Sequence, residues 1–332
     1  MKKSRQNGLD FLKTICALII VFIHAGFTNN LFGYILRELS RIAVPIFFMI
    51  SGFFSYNKDI AYFKKSIIKL LKLQISSNIL YILYDILKAI VLNESIKELL
   101  IQTFNVNYFV FNLGNVGWYI RNLIYIYVII YFIKRQTNKK INYQVLPIIS
   151  LFIIVADCIF LKYSKILFGL TYDSTFYEPY TKFISTGLTC FIIGIYINYI
   201  SQSKKSIFSN KKNLFIMLIF LILNLVEIHI LYNLNSNVIL CNYLFTIPLS
   251  MSIFLLFLNM KMKENKISTI GLKYSTSIYI LHPIILNMLD ILFKKILKIE
   301  GIYIYIRFIV VFLLSLMLAV LYEYIIKKRR NF

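Results

Sequence analysis

Charged residues are scarce in this sequence, and acidic ones are the scarcest. Of 332 residues, 14 are Asp or Glu against 37 Lys or Arg, and only 15% are charged while 59% are hydrophobic. Apolar runs of about 17 residues or more recur along the chain, matching the thickness of a bilayer's hydrocarbon core. This composition excludes a soluble protein. We expect an all-α, polytopic integral membrane protein.

The sequence also lacks the patterns of metal sites, disulfide frameworks and multidomain chains. Its four cysteines show no CxxC spacing, so we expect no metal site and no disulfide framework. No small-x-small cleavage site follows the first apolar run, which we therefore interpret as a retained span. Gly/Ser-rich and Pro-rich linkers are missing, so residues 1–332 are expected to form a single membrane-embedded domain. The cysteines are Cys16, Cys158, Cys190 and Cys241.

The formal net charge of +23 would indicate nucleic-acid binding in a soluble domain. Here the Lys residues cluster in short segments between apolar runs, the pattern that orients membrane spans. We therefore expect no nucleic-acid partner, and expect contact with membrane lipid.

Hydropathy and polar loops together predict about ten spans. Lys and Arg are about three times as frequent in one alternating set of loops as in the other, which predicts that both termini are cytoplasmic. No internal repeat is evident, which disfavours a transporter built from duplicated halves. The expected spans are 10–27, 41–56, 66–92, 116–133, 145–161, 181–200, 213–232, 239–258, 270–293 and 302–326.

Two polar residues stand out in the first apolar stretch, Phe11 to Phe27. Lys13 and His24 are eleven residues apart, so a helix places them on one face about 16 Å apart along its axis. Asp10, one turn before Lys13, is a possible ionic partner. A neutral imidazole in a site that excludes water can accept a proton from a hydroxyl. His24 is thus a candidate catalytic residue, and a satisfied interhelical hydrogen bond is the alternative.

Further candidates lie elsewhere in the chain. His282 is deep in the ninth expected span and precedes Pro283, so it is either catalytic or a structural residue beside a kink. Lys65, Lys69 and Lys72 share one helical stripe at the start of the third span. This stripe is interpreted either as an anchor to acidic lipid or as a phosphate-binding strip for an anionic cofactor.

Ionisable residues near the expected outer ends of the spans form a third group. Together they would line a polar half of the bundle, which suits a hydroxyl-rich acceptor and equally suits a water-filled vestibule. Trp118 and Tyr119, at the outer start of the fourth span, are interpreted first as an interfacial aromatic anchor. The group comprises Arg41, Asp85, Arg121, Asp157, Glu227, His229, Asp290 and Arg307.

Four segments, in order, resemble the acyltransferase-3 family of integral membrane acyltransferases. They are Gly8–Lys13 with the later His24, Pro45–Phe54, Gly117–Ile120 and Tyr274–His282. The family has Arg at the position of Lys13, and Lys lacks the bidentate fork of Arg. The resemblance implies ten spans with cytoplasmic termini and a place in the cell membrane, here the bacterial plasma membrane.

The resemblance also implies an activity. It implies transfer of an acyl group, usually acetyl from acetyl-CoA, to a hydroxyl or amine of a surface polysaccharide or lipid-linked glycan. Acyl-CoA would be a co-substrate, with no permanently bound cofactor. By position, His24 would be catalytic, with Lys13 in the Arg site and Lys69 and Lys72 where the family has arginines thought to engage CoA.

The residues support several mechanisms and functions. His24 would act as a general base oriented by His282 or an outer carboxylate, or would carry a transient acyl group. Arg41, Trp118, Arg121 and Glu227 would bind the acceptor. The alternatives to an enzyme are a polysaccharide exporter or flippase, and a non-catalytic partner of a glycan assembly complex.

Overall fold

The computed structural model describes most of the chain, and within that part every regular element is helical, with no β-strand. The described residues are 6–27, 30–95, 117–136, 142–169, 180–203, 209–234, 243–299 and 301–330. The α-helices are α1 Asn7–Ala25, α2 Leu31–Leu39, α3 Ala43–Ser55, α4 Ile60–Leu92, α5 Trp118–Gln136, α6 Leu146–Asp157, α7 Ser164–Phe168, α8 Thr189–Ser203, α9 Asn210–Asn233, α10 Thr246–Asn259, α11 Lys266–Lys273, α12 Ser275–Asp290 and α13 Gly301–Arg330. Segments Cys158–Lys162, Thr181–Leu188 and Ile291–Ile296 are π-helical, while Ser40–Ile42 and Tyr143–Val145 are 3₁₀ turns.

Eight helical segments in the described part are long and apolar enough to cross a membrane. The expectation of an all-helical, multi-pass protein is thereby confirmed. Each of the eight overlaps one of the ten expected spans. They are Asn7–Ala25, Leu31–Ser55, Ile60–Leu92, Tyr143–Lys162, Thr181–Gln202, Asn210–Asn233, Ser275–Lys294 and Gly301–Ile325.

The other two expected spans, 116–133 and 239–258, correspond to α5 and α10. Polar residues at both ends of α5, including Arg121 and Lys134, lower its mean hydropathy. Helix α10 has only 14 residues, and the first part of its expected span, 239–242, lies outside the described residues. The count of ten therefore stays a prediction.

Helix α1 lies at the centre of the bundle. It packs against α3, α10, α11, α12 and α13, and its apolar side chains Leu9, Leu12, Cys16 and Ile20 are buried in the main core. Such a position leaves little room for a polar group on α1 unless that group has a partner or borders a cavity.

Helix α11 is fixed against the start of α1 by polar contacts. Asn265 and Ser268 form a reciprocal capping box that starts α11. The Thr14 hydroxyl then donates to the backbone carbonyl of Ile267 at 2.6 Å. These bonds hold the start of α11 against α1, and Lys273 at its end lines the same cavity as Lys13.

Two glycines allow α3 and α8 to touch along their backbones. A Cβ at Gly52 would lie 1.9 Å from the carbonyl oxygen of Phe191, and one at Gly194 would lie 2.0 Å from that of Met49. Small residues permit this close approach between membrane helices. The contact holds α3, which carries part of the site described next.

Candidate active site

Lys13 and His24 lie on the same face of α1. The helix is continuous from Asn7 to Ala25, as the spacing predicted. Lys13 is half-buried, pairs with the buried Asp10 at 2.9 Å, and lies 5.6 Å from the ring centroid of Phe54. Ile20, one turn before His24, lines the same cavity as Lys13. This face of α1 therefore borders a cavity from Lys13 to within about 6 Å of His24 along the axis.

The cavity has a volume of about 510 Å³, within the range of small-molecule sites. Helices α1, α3, α4, α5, α11 and α12 contribute to its wall. Three lysines line it, namely Lys13, Lys69 and Lys273, together with hydroxyl groups and many apolar side chains. Such a wall suits a ligand with an anionic end and an apolar arm.

His24 and His282 form a pair at the far end of α1. Their ring centroids are 5.3 Å apart and the rings are tilted by 38°. His24 is exposed, whereas His282 is fully buried. The pair unites the two histidines singled out from the sequence, although neither lines the cavity.

The surroundings of His282 settle which of its nitrogens can accept a proton. Its Nδ1–H donates to the carbonyl of Ile278 at 3.1 Å, since a carbonyl can only accept. In a neutral ring Nε2 is then the acceptor, and it has no hydrogen-bond partner. Pro283, inside α12, has no N–H to complete the helical bond to Tyr279. His282 thus keeps one buried, unpartnered acceptor beside His24.

Two tyrosines join the cavity to the histidine pair. The Tyr119 hydroxyl lies 3.1 Å from that of Ser51, and the ring of Tyr119 is 5.7 Å from the ring of Tyr279. Tyr279 in turn lies 6.1 Å from the ring of His282. From the sequence Tyr119 was expected only to anchor the helix at the interface, and Ser51, Tyr279 and Lys273 carried no expected role. For Tyr279 a signal existed, because it precedes His282 by three residues and shares its helix face.

Only part of the stripe of lysines at the start of α4 lines the cavity. Lys65, Lys69 and Lys72 are all exposed on α4, and only Lys69 lines the cavity. The strip therefore brings one lysine, rather than three, to the cavity wall.

The four expected acceptor-binding residues occupy different surroundings. Trp118 has Lys182 over its ring at 5.6 Å, and Arg121 follows it by one turn of α5. Arg41 is hydrogen-bonded to the buried Glu38. Arg41 lies in the 3₁₀ turn directly before α3, and Trp118 and Arg121 lie in the first turn of α5.

Glu227 differs from the other three. Its carboxylate accepts backbone N–H groups of Leu244 and Phe245 at 2.6 and 3.1 Å, and also accepts the Tyr163 hydroxyl. It thereby satisfies amides at the start of α10, a contact that spacing along the sequence does not reveal.

Arg307 fixes the end of α1 directly after His24. Its Nε donates to the carbonyl of Ala25 at 2.6 Å and its Nη2 to that of Gly26 at 3.1 Å, while Nη1 is 3.6 Å from Asp290. Terminal helix carbonyls need such donors, and a cation there is favourable. Arg307 therefore holds the backbone that positions His24.

A bundle of apolar helices with a lysine-lined cavity and a histidine pair near that cavity is typical of a multi-pass membrane protein with a chemical site between its helices. The acyltransferase-domain profile of the acyltransferase-3 family matches residues 6–327, and the chain belongs to that family. Membership confirms the resemblance found in the sequence and makes the chain a membrane acyltransferase. No curated protein and no solved structure matches it.

Proposed function

We propose that this protein transfers an acetyl or other short acyl group from cytoplasmic acyl-CoA to a hydroxyl of a surface polysaccharide or lipid-linked glycan. The observation that carries the proposal is the His24–His282 pair, at the end of a helix face that also borders a lysine-lined cavity. In this proposal the protein has ten spans and cytoplasmic termini, so the Lys13 end of α1 faces the cytoplasm.

Acyl-CoA would occupy the cavity. Its phosphates would lie near Lys69, Lys273 and Lys13, and its apolar arm would extend along Ile20 and the α3 and α5 side chains. Lysine is a point-charge ligand for phosphate, which suits a flexible, exposed contact. The thioester would reach the end of the cavity at Tyr119 and Tyr279.

His24 would act as the general base. The acceptor hydroxyl gives its proton to His24 while its oxygen bonds to the acyl carbonyl carbon; the C–S bond then breaks, and the CoA thiolate takes the proton from His24. The unpartnered Nε2 of His282 would accept the other N–H of His24, leaving the reacting nitrogen as an acceptor. Catalytic hydrogen bonds of this kind often close only when substrate is bound.

The same residues permit an acyl-imidazole on His24 as an intermediate. Acid quenching of wild-type protein during turnover with radiolabelled acetyl-CoA separates the two routes. Label retained on the protein, and absent from His24→Ala, would establish the intermediate; no retained label supports direct transfer.

The decisive experiment compares histidine variants in membranes supplied with labelled acetyl-CoA. We expect His24→Ala to lower acceptor acylation by about 10²–10⁴-fold, the range for loss of a general base. His229→Gln is the matched control, because His229 is exposed on α9 and bonded to Asn233 at 3.1 Å. Unchanged acylation in His24→Ala would refute the enzyme proposal and favour the exporter or non-catalytic partner.

A further inference from the structure

The region around His24 is rich in positive charge. Among the residues that the structure describes, the charged groups acting on the His24 ring are Arg41 and Lys182, both cationic. A third cation, Arg121, lies within electrostatic reach of Tyr279, whose ring is 6.1 Å from His282. Three cations thus act electrostatically on His24 or on the tyrosine beside His282.

Two acidic side chains among the described residues of this region make other contacts. Glu38, which is 2% exposed, divides one negative charge between Arg37 and Arg41 and accepts the Tyr243 hydroxyl at 2.7 Å. Asp157 pairs with Lys162 at 2.7 Å. Arg121 is half-buried and forms no ion pair with any residue in the described ranges. A half-buried cation in a membrane bundle is costly unless an anion accompanies it.

Two of these cations lie near Trp118, Lys182 by direct contact and Arg121 by helical spacing. Lys182 lies over Trp118 at 5.6 Å, and Arg121 is three residues after Trp118 on α5. Residues three apart on a helix are neighbours on its surface. Lys182, Trp118 and Arg121 therefore form one surface with two positive groups and a flat apolar face, which we term the Trp118 platform.

We infer that the acceptor carries an anionic group, a phosphate or carboxylate, close to the hydroxyl that is acylated, and that the Trp118 platform binds it. The inference rests on the proposed function, since it concerns the acceptor of the same reaction. Lys182 is a binding residue that the sequence did not single out. A sugar or polyol ring beside the anion would lie against the indole face.

The base step gives the anion a second role. A proton taken up by His24 would add a positive charge that interacts unfavourably with Arg41 and Lys182. An anion bound to Lys182 and Arg121 offsets that repulsion. A neutral acceptor offers no such compensation, so the site favours charged acceptors in both binding and proton transfer.

The test uses Trp118, the only tryptophan of the chain, as a fluorescent reporter. The full chain in phosphatidylcholine nanodiscs is titrated with glycerol 3-phosphate against glycerol, and with glucuronate against glucose. We expect a saturable change in Trp118 emission with an anion and none with its neutral counterpart. The two pairs distinguish a phosphate from a carboxylate, and discs with phosphatidylglycerol reveal whether a lipid headgroup competes.

Variants assign the binding to the platform. Lys182→Gln and Arg121→Gln should each raise the anion concentration at the titration midpoint about tenfold. This is the loss of affinity expected for one charge-assisted hydrogen bond. Lys182→Arg keeps the charge and should retain binding. The matched control is Lys134→Gln, because Lys134 also lies over an aromatic ring, that of Phe63 at 5.9 Å, near the opposite end of α5.

Three results would overturn the inference. These are equal responses to glycerol and glycerol 3-phosphate, a Lys134→Gln effect as large as that of Lys182→Gln, and displacement of glycerol 3-phosphate by coenzyme A, which would place the anion in the donor cavity. The binding assay needs no catalysis, so His24→Ala should still bind the anion. An active enzyme without an anion response refutes this inference alone, whereas an inactive protein that binds the anion refutes the proposed function alone.

Discussion

At the scale of single residues, the site depends on an asymmetry between two histidines. His24 is exposed and His282 is fully buried, with one acceptor nitrogen unpartnered. Exposure suits the residue that meets the acceptor, and burial suits one that orients its neighbour. A buried polar atom without a partner lowers stability, and a role in orienting His24 would explain why the Nε2 of His282 is kept in this state.

Replacing His282 tests this division of roles. His282→Phe keeps an aromatic ring in the buried position and removes the acceptor. We expect the rate of transfer at saturating acyl-CoA to fall by about 10²-fold, since general-base catalysis contributes at least that much, with little change in the KM for acyl-CoA. A variant that keeps the wild-type rate would show that His282 only packs against α1.

Neighbouring lysines on α4 test the donor site. Lys69→Gln should raise the KM for acyl-CoA about tenfold, the effect of one lost charge-assisted contact. Lys72→Gln is the matched control, because both lysines are exposed on the same helix and only Lys69 lines the cavity. If both variants changed the KM for acyl-CoA equally in a steady-state titration, the result would favour the interpretation of the strip as a lipid anchor.

Sequence spacing predicted some site residues and could not predict others. Lys13 and His24 share a face because helical period is local, and one apolar run contains both. The pairing of His24 with His282, 258 positions later, depends on how α12 packs against α1. Lys273 carries no signal of its own, since it lines a cavity only because α11 packs against α1.

At the scale of helices, the close contact of α3 with α8 depends on glycine. Gly194→Val should lower stability by about 1–3 kcal/mol, the usual cost of overpacking, because its side chain would meet the backbone of Met49. The thermal unfolding midpoint in detergent measures the effect. Gly301→Val is the control, since nothing lies within 4 Å of a Cβ there. Equal midpoints for the two variants would contradict the packing argument.

Hydropathy predicted the positions of helices better than their irregularities. Apolar runs located the eight helical segments that are long and apolar enough to cross a membrane, because insertion into lipid depends on local composition. The π-helical turn at Cys158–Lys162 was not predicted. Asp157 and Lys162, five residues apart, pair at 2.7 Å across that turn, and Ser185 of another segment donates to the same carboxylate at 2.7 Å. That arrangement depends on tertiary packing.

At the scale of the whole molecule, the distribution of Lys and Arg predicts cytoplasmic termini. Epitope tags at the N-terminus and at the C-terminus should resist protease in intact cells and be cleaved in inverted vesicles. A tag placed after Asn57, in the turn between α3 and α4, should behave like the terminal tags if the ten-span arrangement holds. Cleavage of a terminal tag in intact cells would reverse the assignment of donor and acceptor sides.

The hydrogen bonds from Arg307 to the end of α1 have a consequence for the biosynthesis of the enzyme. The backbone carbonyls of Ala25 and Gly26 emerge from the ribosome early, but their donors on α13 follow 282 and 281 positions later. The first span must therefore wait in the translocon or in lipid with its last turn unsecured until α13 has been synthesised. A nascent chain that stops before α13 lacks both donors, so we expect acyl transfer to begin only after α13 has joined the bundle.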